Sequence, residues 1–356
     1  MSQLTAVRIA SRTADSAQWW HLSVFTGGFD VADGIIGDLV TPLAAQAQKL
    51  GASRWFFTRC EEPAGAHVQL HVLACPAVTA QLQSFLSALQ HGGLAGADRR
   101  PDHALDKYQA PNKPPTVEHG SLPGHHETSP AGILSELRVR QNFSRPAGNF
   151  PSQAAAIDVE PRLEAELVKY GGVDGLQLAE EVFELSSELA AWATKRFPKM
   201  QSRSAFGALI LFDSARAMMK GPRSAGWPDR RRISWDFYWD SHLRTCTADL
   251  GPRSGGVRDA LSAQVAARVP AFHGLMAATA SESAAQNWRR RYARAIDNYL
   301  YRADKMRVSR SAQHLTVYQA HMTLNRLGFT TREEGVLGLY ARSWSIEREA
   351  ASYDQN

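Results

Sequence analysis

The sequence contains few cysteines and lacks the long apolar runs of membrane proteins. Its 356 residues include three cysteines, Cys60, Cys75 and Cys246, whose spacing matches neither a C-x-x-C motif nor a zinc site. No apolar run is as long as a transmembrane helix, and the N-terminus lacks the apolar region of a secretory signal. We therefore expect a cytoplasmic protein that makes no contact with a membrane.

Common catalytic and cofactor-binding motifs are also missing. There is no G-x-S-x-G elbow, no Walker loop and no H-E-x-x-H pair. The glycine-rich stretch at 92–97, GGLAGA, follows no predicted strand and is therefore a poor dinucleotide loop. The histidines are scattered along the chain. We predict neither a metal centre nor a cofactor.

The charge of the chain is mildly positive, with a net value of +5. Arginines cluster at 230–232 and at 289–291. Such clusters favour an acidic partner, although a solvated helix face explains them at least as well. Because no RNA-binding signature accompanies them, we do not expect a nucleic-acid partner.

Hydrophobic periodicity predicts an α+β fold, with a small antiparallel sheet and a helical majority, in a single domain over 1–356. Within it, the proline- and glycine-rich segment 93–132 is interpreted as an irregular loop or lid. The predicted strands are 4–13, 18–26 and a hairpin within 53–75. The predicted helices are 30–50, 76–92, 160–170, 174–195, 201–220, 259–280 with a break at Pro270, 283–306, 309–328 and 331–347.

The predicted helix 309–328 carries polar groups where a core stripe would be apolar. Ser311, Tyr318 and Asn325 are spaced seven residues apart and so project from one side of a helix, and His321 flanks that line. These residues could line a pocket. Alternatively, this is a core helix whose tyrosine and histidine are simply hydrogen-bonded.

The predicted hairpin has one unusually polar strand. Arg59 shares a face with apolar Phe57 on the first strand, whereas His67, Gln69 and His71 share a face on the second. In a simple register Arg59 would lie near His67 or Gln69, on a solvent-facing side or in the wall of a site. His67 and His71 lie roughly 13 Å apart on a strand and cannot chelate one metal ion.

These two polar faces together form the predicted site. We expect the 309–328 helix and the hairpin to share one cavity, lined by Tyr318, Ser311, His321, Asn325, Arg59, His67 and Gln69.

Four motifs, in order along the chain, resemble those of a known family. Trp20 begins a strand that is followed by a helix through Leu43, and the hairpin reads WFFTRCEEPAGAHVQLH. EAELVKYGG precedes a helix with the paired serines Ser186 and Ser187, and the last motif is AHMTLNRLGFTTREE. The chain resembles the glutamate-elimination domain of lanthipeptide dehydratases, the thiopeptide-type bacteriocin biosynthesis family.

The departures from the family pattern concern its arginines. The resemblance implies that arginines of the hairpin and the histidine of the His-Met motif expel glutamate from a glutamylated serine. Arg59 and His321 match this pattern, but Gln69 and His71 stand where two later arginines would be. Without those arginines, the carboxylate of a leaving glutamate would lose its main cationic partners.

Stand-alone members with such changes resemble thiopeptide pyridine synthases, which act without a cofactor. This resemblance implies a formal [4+2] aza-cycloaddition between two dehydroalanines of a ribosomally made precursor peptide, with loss of water and the leader peptide. The residues we assign to catalysis are Tyr318, as donor or proton shuttle, with His321, Ser311 and Arg59. Those assigned to substrate binding are His67, Gln69, Asn325 and Trp20. A homodimer is possible.

Two alternatives remain open. One is a split dehydratase subunit that eliminates glutamate with an altered carboxylate clamp. The other is a non-catalytic protein that binds a peptide in the same groove. The leader peptide is expected to be extended, acidic and apolar. The basic surplus of the chain and the arginine-rich helix at 288–302 motivate its charge, and an available sheet edge would bind it as an added strand.

Overall fold

Four strands form one antiparallel sheet. The computed structural model describes residues 17–26, 29–62, 65–96, 139–146, 161–220, 233–345 and 347. The strands are β1 (Gln18–Phe25), β2 (Arg54–Glu62), β3 (Gly65–Ala74) and β4 (Val139–Pro146), in the spatial order β2-β3-β1-β4. The predicted hairpin is confirmed, and β4 lies where no element was predicted. The predicted strand 4–13 lies outside the described residues.

Helices make up most of the described chain, which confirms the α+β prediction. None of those described combines the length and apolar character needed to cross a bilayer. They are α1 (Phe29–Ile35), α2 (Thr41–Leu50), α3 (Pro76–Gly96), α4 (Pro161–Tyr170), α5 (Val173–Arg196), α6 (Met200–Lys220), α7 (Trp235–Cys246), α8 (Ser254–Ala266), α9 (Val269–Ala280), α10 (Ser283–Lys305), α11 (Ala312–Leu327) and α12 (Thr331–Arg342), with a π-helical turn (Ile36–Val40) between α1 and α2 and a 3-10 turn (Ala248–Arg253) before α8.

The helices differ from the predicted ones at α3 and at α7, whereas the predicted break at Pro270 is confirmed. Helix α3 continues to Gly96, so positions 93–96 are helical where a loop was predicted, and positions 97–132 lie outside the described residues. Helix α7 was not predicted; it begins after Ser234, whose hydroxyl accepts a hydrogen bond from the backbone N–H of Phe237. Pro270 lies in the first turn of α9, where a missing N–H costs nothing, and so separates two helices as expected.

One face of the sheet is apolar and packs on helices. Trp20, Leu22 and Val24 alternate along β1 and are fully buried. On this side α1 contacts β3 and α2 contacts β2. In the helical part, α6 packs against α9, α10, α11 and α12. Helix α11 packs against α5 and α6 and also reaches β2, so it joins the two parts of the fold.

The arginine cluster at 289–291 does not form one basic surface. The guanidinium of Arg289 is buried and donates two hydrogen bonds, of 2.7 and 3.0 Å, to the carboxylate of Asp213. Arg291 lies outside and pairs with Glu188 at 3.3 Å. The cluster at 230–232 lies outside the described residues. The solvated helix face expected for this cluster holds for Arg290 and Arg291 but not for Arg289, because helix periodicity turns that side chain into the core.

Candidate functional site

Helix α11 has one side that reaches solvent. His314, Tyr318, His321, Met322 and Asn325 are half-buried, whereas every other residue of the helix except Gln313 is buried. Their spacing of three and four residues places them on one stripe. We call these five residues the accessible side of α11. It contains three of the four predicted helix residues, which fits a surface that lines a site.

The fourth predicted helix residue, Ser311, lies before the helix and not on its side. Helix α11 begins at Ala312, and Ser311 is the N-cap residue. Its hydroxyl accepts a hydrogen bond of 3.1 Å from the backbone N–H of His314. The predicted helix began too early, because an N-cap serine ends the periodic pattern one residue outside the helix.

Tyr318 packs among aromatic rings, and its hydroxyl has no hydrogen-bond partner among the described residues. Its ring centroid is 4.5 Å from that of His314 and 6.3 Å from that of Tyr170, and Lys169 Nζ lies 4.9 Å from the same centroid. His314 Nε2 donates to the Lys169 carbonyl at 3.0 Å, which holds the start of α11 against the end of α4. Within the described part of the chain, the Tyr318 hydroxyl makes no hydrogen bond, so it can donate to a ligand.

His321 is held by a buried carboxylate. Its Nδ1 lies 2.7 Å from Glu334 Oε2, and His242 Nε2 lies 3.1 Å from Glu334 Oε1 on the other side. Burial acts to raise the pKa of Glu334, but its hydrogen bonds and electrostatic attraction to the two imidazoles lower it to about 2. Because Nδ1 of His321 donates to the carboxylate, Nε2 carries the lone pair, the arrangement of a general base.

A capping motif places Glu334 in this position. The Thr330 hydroxyl accepts from the backbone N–H of Glu333, and the Glu333 side chain accepts from the backbone N–H of Thr330. The next residue, Glu334, therefore lies in the first turn of α12 and faces inward, with 2% of its side chain exposed. Glu333 therefore caps α12, whereas Glu334 contacts His242 and His321.

His242, Cys246 and Glu334 are the one group in the described chain whose ligand atoms could approach a metal ion, within 4.8 Å of one another. The thiol sulfur lies 3.9 Å from His242 Nδ1 and 3.8 Å from Nε2. Nε2 is the ring nitrogen that faces Glu334, so an ion bound by both groups would lie at Nε2 and hold the sulfur close to that nitrogen. The sulfur is instead about equally far from both ring nitrogens. Burial also raises the pKa of Cys246, which favours the thiol. The three groups fit a packed hydrogen-bonded cluster better than a ligand set.

Side chains of α11 and α5 complete the outer edge of β2. The Asn325 amide accepts from the Arg59 backbone N–H at 3.0 Å and donates to the Arg59 carbonyl at 2.9 Å, as a neighbouring strand would. Arg326 Nε donates to the Phe57 carbonyl at 2.7 Å, and the Ser187 hydroxyl accepts from the Phe57 N–H at 3.1 Å. These bonds satisfy an edge strand that would otherwise be unpaired.

The Arg59 side chain belongs to a buried ion-pair network. Its Nη2 lies 2.6 Å from Asp33 Oδ1, its Nε donates to the Arg326 carbonyl at 3.0 Å, and Arg203 Nη1 lies 2.7 Å from the second oxygen of Asp33. Burial lowers the pKa of Arg59, and Asp33 opposes that effect. Gly328, at φ 91°, passes so close that an added Cβ would lie 3.2 Å from Arg59 Cζ. These contacts occupy the Nη2 and Nε donors of Arg59 and do not show it facing a substrate. A catalytic role for Arg59 stays a prediction.

The expected proximity of Arg59 to His67 and Gln69 is wrong. Arg59 is directly opposite Val68, whereas Gln69 is opposite Thr58 and His67 is opposite Cys60. Directly opposed residues project to the same side of a sheet, so Arg59 shares the apolar face with Val68. A one-residue difference in register therefore separates the predicted cluster.

The opposite face of the sheet is polar. The Gln69 amide donates to the Ser23 hydroxyl at 3.2 Å, and the Nδ1 atoms of His21 and His71 lie 2.8 Å apart. His67 is buried here beside the Phe25 ring. We call Ser23, His21, His67, Gln69 and His71 the polar sheet face. The predicted alternation of the second hairpin strand is confirmed.

Trp20 is not on the polar sheet face. It is fully buried on the apolar face and offers no surface to a substrate in this structure, so substrate contact by Trp20 stays a prediction. Strand alternation assigned Trp20, Leu22 and Val24 to one face, but only the packing of α1 and α2 against the sheet decides which face is sealed.

Aromatic rings connect the polar sheet face with the accessible side of α11. The ring centroids of His71 and Phe56 are 4.4 Å apart, and those of Phe56 and Phe183 are 5.2 Å apart. Phe183 follows at 5.5 Å from Tyr170, which in turn lies 6.3 Å from Tyr318. The two polar faces are thus linked through these rings rather than through Arg59, and a common cavity stays a prediction.

Sequence comparison with family models decides the family. The model described as "Lantibiotic biosynthesis dehydratase C-term" matches residues 19–344, nearly the whole chain. The chain belongs to this family. The resemblance found in the four motifs is thereby confirmed, and membership places the protein in the biosynthesis of ribosomally made, modified peptides. A comparison with curated protein sequences gives no match.

Solved structures share the fold of this dehydratase C-terminal family member. "Pyridine synthase, TbtD, from thiomuracin biosynthesis" aligns with a TM-score of 0.52 and 17% identity over 95% of this chain and 100% of that one. TsrL aligns with a TM-score of 0.51 and 15% identity over 95% of this chain and 96% of that one. The lantibiotic dehydratase MibB from Microbispora sp. 107891 aligns over 28% of its own chain, at 16% identity, 96% coverage of this chain and a TM-score of 0.46. At these identities the likeness to TbtD and TsrL shows the fold alone.

The structure gives physical roles to the last family motif. In AHMTLNRLGFTTREE, Asn325 and Arg326 hold β2, and Glu334 holds His321. Sequence reasoning gave the paired glutamates of this motif no role in the site and so missed the buried carboxylate. It also missed His242, because α7 was not predicted and no spacing along the chain relates position 242 to position 334.

Replacing Asn325 with leucine should weaken the attachment of β2. The change removes both bonds to Arg59 and leaves a backbone N–H and a carbonyl without partners, at a cost of about 1–3 kcal/mol each. We expect a loss of about 2 kcal/mol or more in the free energy of unfolding, measured by urea denaturation. Gln313→Leu on the same helix is the matched control and should change stability little. Equal effects of the two changes would contradict the role assigned to Asn325.

The carboxylate of Glu334 should make stability depend on acid pH. Its folded pKa of about 2 lies below the roughly 4.3 of an unfolded glutamate. Its contribution is therefore fully present above about pH 4.3 and is lost as pH falls through about 2. We expect the advantage of the wild type over Glu334→Gln to shrink by roughly 3 kcal/mol between about pH 5 and pH 2. Parallel stability curves of the two proteins would show that the carboxylate is not stabilised in the fold.

Proposed function

We propose that the protein is a pyridine synthase. It would join two dehydroalanines of a ribosomally made precursor peptide in a formal [4+2] aza-cycloaddition and then release water and the leader peptide. One observation carries the proposal: Tyr318 and His321 stand three residues apart on the accessible side of α11. The Tyr318 hydroxyl has no hydrogen-bond partner among the described residues, and His321 is held by Glu334. A phenol donor beside an oriented imidazole suits the proton transfers of this reaction.

The first step requires one backbone amide to become an aza-diene. His321 Nε2 accepts the proton from the amide nitrogen, and the Tyr318 hydroxyl donates a hydrogen bond to the amide oxygen as negative charge develops there. Two new carbon–carbon bonds then join the diene to the second alkene. Holding the two alkenes together contributes as much as the proton transfers, because it removes the entropy cost of their encounter.

The environment of Arg59 supports this reaction over glutamate elimination. Expulsion of glutamate leaves a carboxylate that needs cationic partners. The guanidinium of Arg59 is buried and paired with Asp33, and Gln69 lies on the opposite face of the sheet. The uncharged amide of Gln69 and the imidazole of His71 replace the arginines that the family resemblance implies at those positions.

Glutamate elimination is the second candidate. It requires removal of an α-proton, for which the Glu334-held imidazole of His321 is equally suited. The protein would then be a split dehydratase subunit. A protein that binds the peptide without acting on it is a third candidate from a different class.

Two substrates distinguish these candidates. The protein is incubated with a dehydroalanine-containing precursor and, separately, with a glutamylated precursor, and the products are identified by mass spectrometry. We expect a pyridine macrocycle and free leader peptide from the first, and no product from the second. Glutamate release from the second alone would overturn the proposal in favour of the elimination reaction. Binding of both peptides with no product from either would favour the third candidate.

A further inference from the structure

A second histidine, His242, contacts the carboxylate that holds His321. It approaches Glu334 Oε1 at 3.1 Å, while His321 approaches Oε2 at 2.7 Å. The side chains of His242 and Glu334 are 1% and 2% exposed, whereas that of His321 is 35% exposed. His242 is therefore buried, whereas His321 is accessible to a substrate, and the carboxylate of Glu334 lies between the two imidazoles.

The ring of His242 is fixed in place on several sides. The Trp239 ring packs edge-on at a centroid distance of 5.5 Å, and the thiol of Cys246 lies within 3.9 Å of both ring nitrogens. Gly338 passes so close that an added Cβ would lie 2.7 Å from His242 Nδ1. Any side chain at position 338 would displace the ring. The packing thus directs Nε2 at the carboxylate and leaves the ring little room to turn.

Glu334 carries the negative charge of this cluster at neutral pH. The other titratable groups that face it are Tyr238 and Cys246 on α7 and the two imidazoles. Burial raises the pKa of Tyr238 and of Cys246, so both are neutral near pH 7. The carboxylate of Glu334, with a pKa of about 2, remains ionised. The imidazoles of His242 and His321 therefore both interact with one negatively charged group, the carboxylate of Glu334.

We propose that His242 is a positioning residue that tunes His321 through Glu334. Its N–H orients the carboxylate and offsets part of the negative charge that would otherwise favour a protonated His321. The oriented carboxylate holds Nδ1 of His321 as its donor, at 2.7 Å, and leaves Nε2 to accept a proton. This inference rests on the proposed function only for its use in catalysis.

NMR of histidine-labelled protein tests the inference without relying on the reaction. His242→Phe removes the donor and keeps a ring, whereas His242→Gln keeps a donor near the position of Nε2. We expect the pH at which the His321 ring signals titrate to rise by about one unit in His242→Phe. In His242→Gln it should stay near the wild-type value. His242→Asn, whose amide is too short to reach Oε1, replaces His242→Phe if that variant does not fold.

His273→Phe is the matched control, because His273 is buried and donates to the Tyr340 carbonyl instead of Glu334. It should leave the His321 titration unchanged. The acid limb of the pH–rate profile should move with the NMR titration, so that turnover below that limb falls about tenfold for one unit. An unchanged His321 titration in His242→Phe, or an equal shift in His273→Phe, would overturn the inference. A normal NMR result without turnover would instead count against the proposed function.

Discussion

Replacing Tyr318 with phenylalanine should lower turnover of the dehydroalanine substrate by about 10²–10³-fold, with little change in stability or in affinity for the precursor. The change deletes a hydroxyl that has no hydrogen-bond partner in the described part of the chain, so folding should not depend on it. In the proposed reaction that hydroxyl stabilises charge on the amide oxygen. Removing one such donor typically costs about 2.7–4 kcal/mol of transition-state stabilisation.

The measurement is single-turnover kinetics followed by mass spectrometry. Tyr301→Phe is the matched control, because Tyr301 is an exposed tyrosine on α10. His321→Ala completes the set. Normal turnover in Tyr318→Phe together with an inactive His321→Ala would assign the proton transfers to His321 and remove Tyr318 from the mechanism. Full activity of both variants would show that the accessible side of α11 is not the site.

Replacing Asp33 with asparagine should lower the free energy of unfolding by about 3 kcal/mol. The carboxylate bridges Arg59 and Arg203, whose side chains are 2% and 3% exposed, and its loss leaves two buried cations without an anion. Breaking a buried ion pair by removing one partner costs about 3–5 kcal/mol. We expect the lower end of that range because the Asp33 side chain itself is 32% exposed.

Urea denaturation of Asp33→Asn and of Asp38→Asn measures this effect. Asp38 is exposed in the π-helical turn just beyond α1, so its replacement removes the same charge without breaking a buried pair. The control should be nearly as stable as the wild type. A loss below about 1 kcal/mol in Asp33→Asn would mean that water or a shift of the chain compensates the two arginines. Arg59 would then be available for the catalytic role predicted for it.

Local patterns in the sequence determined most of the secondary structure. Alternation identified β1 and the hairpin, because side chains of a strand point to opposite faces in turn. Helices α2 and α11 end at Gly51 and Gly328 for a reason that needs no tertiary contact: both glycines adopt positive φ, at 89° and 91°, where glycine carries no steric cost. The stripe of Tyr318, His321 and Asn325 on α11 follows in the same way from helix periodicity.

Only the tertiary structure decided what those stripes contact. Strand alternation shows that His67 and Gln69 share a face, but the pairing of Arg59 with Val68 determines that Arg59 points to the other one. Likewise, His242 reaches Glu334 only because α7 and α12 pack together, across 92 positions of the chain. Periodicity depends on the backbone of one element, whereas register and helix packing depend on contacts between distant segments. That is why helix α11 could be found in the sequence, whereas the two imidazoles that contact the carboxylate of Glu334 on α12 could not.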